Sequence, residues 1–470
     1  MATTQLEHTT VSAGNRGLWT FSFWVKRGNL AVDQKIYSEY GSASDFFAMG
    51  FTGSDTLEFQ NKDDGSNNLV YLTNRKFRDT NSWYHIVAAY DSAQASASDR
   101  FRVWINGVLE TVWASDTLPA QGNTDIAVRK GSSGTYNPRV GSYTSAYYSG
   151  SMAQMTKVDG YSLVATTFGS FDATTGEWKP KSDGEVRTAV VAAGGWGTTG
   201  WMLTFQNSSN PGYDYKTSDR TSNLDFVKSG AGHGSQDNPS NSFQTLNPNW
   251  YSSTLAVTDF TNANTQCRNN DDNNSRYGAN MAVSKGKWYC ELMWKGSVTW
   301  GGNAAGFYQY DYPEGHISNS NGFFSSDDKW IGIYINSNNV YVGNDGNNNN
   351  YGGSVAVNDV IGFAIDMDNG YFYVSHNGTW VNSGDPTSGA TGTGNTNRTG
   401  NLNFDFTGLL MGIAGSAQNT DYVDWNFGNG YFGSTSAGAT NADDAGQGVF
   451  KYDVPAGYYS MCTKNLNTYG

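Results

Sequence analysis

The alternation of large apolar residues in short runs is the feature that most constrains the fold of this chain. From Trp19 to Val25, every second residue is a large apolar side chain. Successive side chains of a β-strand point to opposite faces, so this pattern predicts a strand with one fully buried face. Lys26 and Arg27 follow, and we expect them to mark the point where the strand leaves the core. No run of ordinary helix length shows the 3.6-residue apolar spacing, so the pattern favours an all-β protein.

Similar runs recur along the chain and are separated by turn residues. Asn106-Gly107 lies between two alternating runs, which is the preferred two-residue hairpin turn. Further hairpins are predicted around Asn338-Asn339 and at residues 368–370, whereas the Asn-rich segment 344–353 is predicted to be a polar loop. Short strands separated by Gly and Asn turns predict two antiparallel β-sandwiches in tandem.

Composition agrees with this fold class. Glycine contributes 57 of 470 residues, aromatic residues 14% and charged residues 15%. Disordered chains lack aromatic residues, and helical proteins are dominated by Ala, Leu, Glu and Lys, so neither class fits. The length predicts two domains.

Charge and cysteine content limit the partners and the compartment. The formal net charge of −13 disfavours binding to nucleic acid and to anionic membranes. Cys267, Cys290 and Cys462 are widely spaced and form no CxxC pair, so neither a disulfide framework nor a zinc site is predicted. The chain start lacks the features of a signal peptide, and no apolar run reaches membrane-spanning length. These observations predict a protein made in a cytoplasm, with no membrane insertion.

Domain boundaries follow from the change in pattern. Residues 1–170 are predicted to form the first sandwich and residues 246–470 the second, including a closing segment. Between them, residues 171–245 are predicted to be a connector with at least one strand that completes or links the sandwiches. Its start, 171–181, is expected to be a loop or short helical turn. The segment Asp237–Trp250 carries two prolines among Asn and Ser, which favours a boundary there.

No catalytic residues are predicted. Glycoside hydrolysis needs two carboxylates that face each other across a cleft, and no E-x-D-x-E pattern occurs. Asp172 and Glu177 lie in a predicted loop, and Asp366 and Asp368 are expected to serve a hairpin turn. No histidine has a further metal-ligating residue two or four positions away, and His85 is expected to be a strand residue. No G-x-S-x-G motif is present, although the sequence leaves a Ser-His-Asp catalytic triad open. The chain is therefore expected not to be an enzyme.

Several segments carry a family resemblance. The first half resembles laminin-G-like, concanavalin A-type jelly-roll domains, through WTFSFWVKRGNL, SWYHIVAAYD with RFRVWINGV, and GSMAQMTKVDGYSL. The second half resembles SPRY domains, through GKWYCELMW and VIGFAIDMDNGYFYVSHNGTW. The pairing is similar to marine bacteriophage tail-fibre and virion structural proteins. This resemblance implies a virion surface protein (fibre, spike or head-decoration component) that assembles in the host cytoplasm as a homo-oligomer with other virion proteins.

The resemblance also makes a calcium site a candidate, because laminin-G-like domains often hold one calcium ion at the sandwich rim. Possible oxygen donors lie in Asx-rich segments: Asp63, Asp64, Asp271, Asp272 and Asp345. The alternative is that these segments are solvated turns. No cofactor is expected to be required.

Two aromatic-rich segments are candidates for binding a host-surface glycan. Rings can pack against a sugar, and neighbouring amides can bind its hydroxyls. The candidate residues in segments 137–150 and 298–316 are Tyr143, Tyr147, Tyr148, Tyr308, Tyr310 and Tyr312. Subunit packing in a virion is the alternative use of such tyrosines. Alternatives for the whole chain are a carbohydrate-binding or depolymerising protein that acts on host polysaccharide, and a bacterial adhesin.

Overall fold

The computed structural model describes most of the chain, and its described residues form two compact units. The units are residues 1–234 with 238–240, and residues 235–237 with 241–470. The described residues are 4–9, 13–124, 126, 137–218, 224–251, 257–269, 275–296, 304–309, 330–344, 347–397, 404, 406–407, 410–416 and 422–470. Strands dominate both units and pair mostly antiparallel, which confirms the predicted all-β class.

The first unit is built from two large sheets. Its strands are β1 (Gln5–Glu7), β2 (Leu18–Arg27), β3 (Gln34–Ser42), β4 (Asp45–Phe51), β5 (Thr56–Asp63), β6 (Ser66–Lys76), β7 (Tyr84–Asp91), β8 (Phe101–Ile105), β9 (Val108–Leu109), β10 (Trp113–Thr117), β11 (Pro138–Val140), β12 (Ser142–Tyr143), β13 (Ala146–Tyr147), β14 (Gly150–Asp159), β15 (Gly169–Phe171), β16 (Trp178–Pro180), β17 (Trp201–Leu203) and β18 (Val227–Ser229). Within the described residues, one sheet has the order β10-β6-β5-β4-β3-β11-β1-β18, with the β12–β13 hairpin beside β3. The other has the order β17-β14-β2-β7-β8-β9.

Strand β2 buries both of its faces. Trp19, Phe21, Phe23 and Val25 lie in the core between the two sheets, as the alternation predicted. Each such burial contributes about 1.5–3 kcal/mol. On the opposite face, Trp24 belongs to a second apolar cluster.

That second cluster is covered by a hairpin and a helix. Strands β15 and β16 pair with each other, and helix α2 (Asp183–Ala192) follows; a short helix α1 (Ala97–Arg100) precedes β8. Ser182 and Glu185 form a capping box at the start of α2, and Val186 and Val190 are its buried residues. The expectation of no ordinary helix was wrong at α2, because only two residues of α2 are buried and its apolar spacing is weak. In segment 171–181, residues 172–177 form the expected loop, but its two ends belong to strands β15 and β16.

The two cations at the end of β2 are buried, which corrects the expectation that they mark an exit from the core. Arg27 is 1% exposed and Lys26 is 3% exposed. Arg27 Nη1 donates to Asp55 Oδ1 at 3.0 Å and to the Phe77 carbonyl at 2.8 Å. Its guanidinium also lies 4.4 Å from the Phe51 ring centroid. An ion pair and a cation–π contact therefore compensate the burial of this charge.

Residues after 170 contribute strands to the first unit. β17 pairs with β14 in the second sheet, and β18 pairs with β1 at the edge of the first. The boundary between the two units lies at residues 234–241.

The second unit is also built from two sheets on a common core. Its strands are β19 (Leu246–Tyr251), β20 (Val257–Thr261), β21 (Gln266–Asn269), β22 (Ser275–Val283), β23 (Lys287–Trp294), β24 (Ala304–Gln309), β25 (Trp330–Asn336), β26 (Asn339–Asn344), β27 (Asn347–Asn350), β28 (Val360–Asp366), β29 (Tyr371–His376), β30 (Thr379–Trp380), β31 (Leu410–Ser416), β32 (Tyr422–Asn426), β33 (Tyr431–Phe432), β34 (Thr435–Ser436) and β35 (Tyr459–Ser460). In the described part of this unit the sheet orders are β19-β22-β31-β24-β25-β26-β27 and β20-β21-β32-β23-β28-β29-β30, with β35 beside β23. Helix α3 (Thr463–Tyr469) ends the chain.

Several local predictions for this unit are confirmed. Trp288, Cys290, Leu292 and Trp294 of β23 alternate into the core, and β28 and β29 form the predicted hairpin. The Asn-rich segment departs from prediction, because residues 347–350 form strand β27 rather than a loop. Its backbone pairs with β26, and a backbone ladder does not depend on apolar side chains.

The closing segment is held by a buried carboxylate. Glu291 accepts hydrogen bonds from the backbone N–H groups of Lys451 and Tyr452, each at 2.8 Å. Burial raises the pKa of Glu291 above its ordinary value, against the lowering effect of these bonds. In the described part of the chain, no helix has the length and apolar character needed to cross a membrane.

Candidate functional site

The β12–β13 hairpin carries two of the predicted tyrosines and lies beside β3. Ser38 Oγ of β3 donates to the Ser142 carbonyl at 2.6 Å, and Tyr147 pairs with Lys35. The chain enters the hairpin through Gly141, whose φ of +85° favours glycine. These contacts make the hairpin part of the ten-stranded sheet and hold Tyr143 and Tyr147 next to β3.

Tyr143 is part of an aromatic cluster on that face. Its ring centroid lies 5.3 Å from that of Tyr40 and 5.1 Å from that of Phe46. Lys62 Nζ lies 6.0 Å from the Phe46 centroid. Burial, together with the neighbouring Tyr40, raises the pKa of Tyr143, so its hydroxyl is neutral at physiological pH. We call Tyr40, Phe46 and Tyr143 the aromatic face.

Strand alternation shows that this cluster lies on the side opposite the core. Phe47 and Met49 of β4 are core residues, so Phe46 and Ala48, which alternate with them, point the other way. Ala48 is paired with Gln60 across β4 and β5.

Polar groups continue along the same side. Glu58, Gln60 and Lys62 alternate on β5 and are half-buried, and Glu58 is paired with Lys35 at 2.9 Å between Oε2 and Nζ. Aromatic rings thus lie beside an amide and both signs of charge on this side of the sheet.

The other predicted tyrosines have different positions. Tyr148 lies in the core, donates to the Lys26 carbonyl at 2.9 Å, and has a pKa raised by burial. Tyr308 is 3% exposed. Neither ring is available at the surface, which corrects the expectation for these two residues. Tyr310 and Tyr312 lie outside the described residues.

The described residues do not assemble a calcium site. Asp63 is half-buried and Asp64 is exposed at a tight turn, where the Asp64 N–H donates to Asp45 Oδ1 at 3.0 Å. No group of three His, Cys, Asp or Glu side chains suited to a metal occurs among the residues that the structure describes. Asp271, Asp272 and Asp345 lie outside them. The described donors therefore fit a solvated turn, and calcium stays a prediction without support here.

A buried Ser-His pair occurs in the first unit, at Ser22 and His85. His85 Nε2 lies 2.9 Å from Ser22 Oγ, and Trp178 Nε1 lies 2.9 Å from His85 Nδ1. An indole N–H can only donate, so His85 Nδ1 must accept and the neutral ring must carry its proton on Nε2. Nε2–H then donates to Ser22 Oγ. In this tautomer His85 cannot remove the Ser22 proton, so the pair is not a nucleophile with its base.

The acidic candidates serve turns. Asp366 Oδ1 accepts from the N–H groups of Asp368 and Asn369 at 3.1 and 3.0 Å, which confirms the predicted hairpin role. Asp172 accepts from the N–H groups of Thr174 and Thr175, each at 2.9 Å. These bonds and Lys179 hold the pKa of Asp172 below its ordinary value. Glu177 is exposed, and its Oε2 lies 3.7 Å from Lys179 Nζ.

Sequence reasoning missed Tyr40 and Phe46, which complete the aromatic face. Both lie in strands and far from Tyr143 in sequence. The available signal was the presence of aromatic residues on the outward positions of β3 and β4, where polar residues are usual.

A family model matches part of the first unit. Residues 2–156 match the family model Laminin_G_3, described as the concanavalin A-like lectin/glucanases superfamily. The aromatic face lies within the matched residues. No curated protein matches the sequence.

Solved structures with some likeness include two SPRY domains and a pentraxin. The PSpry domain of TRIM65 has 10% identity and a TM-score of 0.28, covering 39% of this chain and 88% of its own. The SPRY domain of human HERC1 has 12% identity and a TM-score of 0.28, covering 38% and 96%. The heptameric SAP-like pentraxin of Limulus polyphemus has 15% identity and a TM-score of 0.26, covering 35% and 72%. At these scores nothing about function follows from the likeness.

Proposed function

We propose that this chain is a non-enzymatic, glycan-binding protein of a bacteriophage virion surface, as a fibre, spike or head-decoration component. The observation that carries the glycan part is the aromatic face on a concanavalin A-like domain. The virion part is supported by the order of the two modules, which resembles that of marine phage virion proteins. The proposed partners are other virion proteins, further copies of the chain and a host-surface glycan.

The aromatic face offers the two kinds of contact that a sugar needs. The C–H groups of a pyranose can pack against the ring of Tyr143 or Tyr40, which removes apolar surface from water at about 25 cal/mol per Å². Gln60 can donate and accept hydrogen bonds to hydroxyl groups, and the Tyr hydroxyls can do the same. Such a surface binds by many weak contacts, so repeated copies on a particle would increase the avidity.

Replacing Tyr143 by alanine should weaken binding to a bacterial polysaccharide about fivefold, a loss of about 1 kcal/mol. The reason is loss of the ring that joins Tyr40 and Phe46. Binding of wild type and variant is measured by calorimetry, with the polysaccharide chosen from an array of purified capsular and cell-wall glycans.

Two variants serve as controls for this prediction. Tyr143→Phe keeps the ring and should retain most of the affinity. Phe171→Ala removes an aromatic ring that is 51% exposed and lies on β15, away from the ten-stranded sheet, and should leave binding unchanged. Unchanged binding by Tyr143→Ala, in a protein that remains folded, would exclude the aromatic face as the site.

The alternative function is depolymerisation of the same polysaccharide, since the matched superfamily includes glucanases. Incubation of the bound polysaccharide with the protein, followed by size-exclusion chromatography, separates the two. Unchanged chain length supports binding alone. Progressive shortening would replace the proposal with a hydrolase.

Presence in the particle is tested by mass spectrometry of purified virions from the source virus. The proposal predicts peptides from both units at a copy number typical of a repeated surface component. Absence of the chain from purified particles would contradict the virion role while leaving the glycan measurement valid on its own.

A further inference from the structure

The segment that follows the Asn106-Gly107 turn exposes apolar side chains at the edge of a sheet. Val108, Leu109 and Val112 are 56%, 43% and 57% exposed. Three exposed, large apolar side chains thus fall within five consecutive residues. Single exposed apolar residues are normal on a protein surface, whereas contiguous ones mark an interaction site. We call residues 108–112 the apolar edge.

Both large sheets of the first unit end at this part of the chain. Among the described strands, β9, which contains Val108 and Leu109, is the last strand of one sheet, and β10 is the last strand of the other. Natural proteins usually protect such edges with lysine or proline, and the apolar edge contains neither. The apolar edge therefore lies on a side of the sandwich where a further strand can be added.

The backbone of Leu109 is directed toward this side. The Glu110 N–H donates to the Val103 carbonyl of β8 at 2.8 Å. Inward and outward backbone groups alternate along an antiparallel strand. The N–H and C=O groups of Leu109, which is paired with Trp104, therefore point away from β8. Leu109 thus offers one hydrogen-bond donor and one acceptor to an incoming strand.

The charge of the apolar edge permits a second copy of the chain to approach it. The chain has a formal net charge of −13, so two copies repel each other unless the surfaces in contact are neutral. Between residues 103 and 115 the only charged residue is Glu110. Its Oε2 lies 3.2 Å from Arg75 Nε, and its side chain is 9% exposed. The apolar edge is therefore locally neutral, and an identical edge meets no unpaired like charge there.

The direction of the backbone groups also fits an identical strand. An incoming antiparallel strand must present a residue whose own N–H and C=O point outward, and Leu109 of a second copy does so. Two copies related by a twofold axis bring these leucines opposite each other, with two hydrogen bonds exchanged and Cα atoms about 5.5 Å apart. A helix offers no free backbone groups for such pairing.

We propose that the apolar edge is the contact between two copies of this chain, formed by antiparallel pairing of β9 with β9 of the second copy. The apolar side chains of both edges are then removed from water. This inference rests on the part of the proposed function that names further copies of the chain as partners. Self-association of the purified chain needs neither a virion nor a glycan, so its failure would leave those two tests unaffected.

Leu109→Cys should form an intermolecular disulfide under mild oxidation of the full chain. Two such residues on the twofold axis lie within the Cα separation of about 4.4–6.8 Å that a disulfide accepts. Non-reducing electrophoresis measures the dimer fraction, and the wild-type chain gives the background from the native cysteines. Val227→Cys is the matched control, since Val227 is 73% exposed and lies on β18, the end strand of the ten-stranded sheet.

Sedimentation equilibrium of the full chain measures the association without a crosslink. We expect the wild type to form dimers in the micromolar range. Leu109→Lys should raise the Kd at least about tenfold, because it places an unpaired ammonium group in the contact. Val227→Lys should leave the Kd unchanged.

Urea unfolding shows whether Leu109→Lys remains folded, and an unchanged midpoint is expected at an exposed position. If that midpoint falls, Leu109→Cys carries the test on its own. A chain that stays monomeric throughout the micromolar range, a dimer that a folded Leu109→Lys variant leaves intact, or equal crosslinking of Leu109→Cys and Val227→Cys would overturn the proposal.

Discussion

Replacing Asp55 by asparagine should lower the free energy of unfolding of the first unit by about 3–5 kcal/mol. Asp55 bonds to two guanidinium groups, through Oδ1 to Arg27 and through Oδ2 to Arg78, each at 3.0 Å. The Arg27 side chain is 0% exposed and that of Asp55 is 4% exposed. Without the carboxylate, Arg27 remains a buried charge with no counter-charge, which is the costly half of a buried ion pair.

The titration of Asp55 agrees with this role. Burial by itself raises the pKa of Asp55, but bonds from the Ala31 N–H, Arg78 and Arg27 lower it, and the net pKa lies below the ordinary value. Because the folded-state pKa is lowered, the stabilisation is present above the unfolded-state value near 3.8 and is lost as the pH falls through the folded-state value.

The measurement is urea unfolding of the full chain at pH 7, with pulse hydrogen exchange of the peptide that contains Leu18–Arg27 as the reporter of the first unit. Arg27→Met with Asp55→Asn should be more stable than Asp55→Asn alone, since the unpaired charge is gone. Asp172→Asn, at an exposed ion pair, should leave the midpoint nearly unchanged. A loss below about 1 kcal/mol for Asp55→Asn would show that water reaches Arg27.

Acidification from pH 8 to pH 5 should cost the first unit about 2 kcal/mol through His85 alone. His85 is fully buried between Trp24 and Trp178, with ring centroids at 4.5 and 5.8 Å. Burial lowers the pKa of His85 from 6.5 to about 3. The unfolded chain takes up a proton below pH 6.5, whereas the folded chain does not until about pH 3.

This difference in bound protons determines whether the stability rises or falls with pH. Between these two pKa values the unfolded state holds one proton more than the folded state, so the stability falls as the pH falls, by up to about 1.4 kcal/mol per pH unit. Protonation would also place a hydrogen on Nδ1, where the Trp178 N–H already points. The hairpin β15–β16 is therefore expected to be displaced together with Trp178.

The comparison of wild type with His85→Gln isolates the effect, since the carboxylates titrate in both proteins. From pH 8 to pH 5, the unfolding free energy of the wild type minus that of His85→Gln should fall by about 2 kcal/mol. Both values are measured by the same exchange method on the peptide that contains Tyr84–Asp91. Parallel pH profiles for the two proteins would show that His85 is protonated in the folded state or is reached by solvent.

Local patterns predicted much of the fold. The alternation in β2 and β23 placed their apolar residues correctly in the cores, because period two is a property of a strand wherever it pairs. The turn at Asn106-Gly107 was predictable because both residues have positive φ, at +49° and +80°. Helix α2 was not predictable from apolar spacing, since it rests on the cluster around Trp24 with only Val186 and Val190 buried.

The candidate sites depended on pairings that a sequence does not display. Tyr143 was predicted from a Tyr-rich loop, but its neighbours Tyr40 and Phe46 come from strands about 100 residues earlier. Tyr148 follows Tyr147 directly and yet is buried, because alternation turns it to the core. Arg27 was misplaced for a related reason, since its partner Asp55 comes from a distant turn.

The measurement that tests the proposed virion role most directly is immunogold electron microscopy of intact particles of the phage proposed to encode the chain, with antibody raised to the second unit. The proposed role predicts gold on the particle surface. Label at the tail tip would favour receptor binding, and label over the head would favour decoration. Particles without label, in a preparation where the antibody recognises the purified chain, would contradict a virion surface protein.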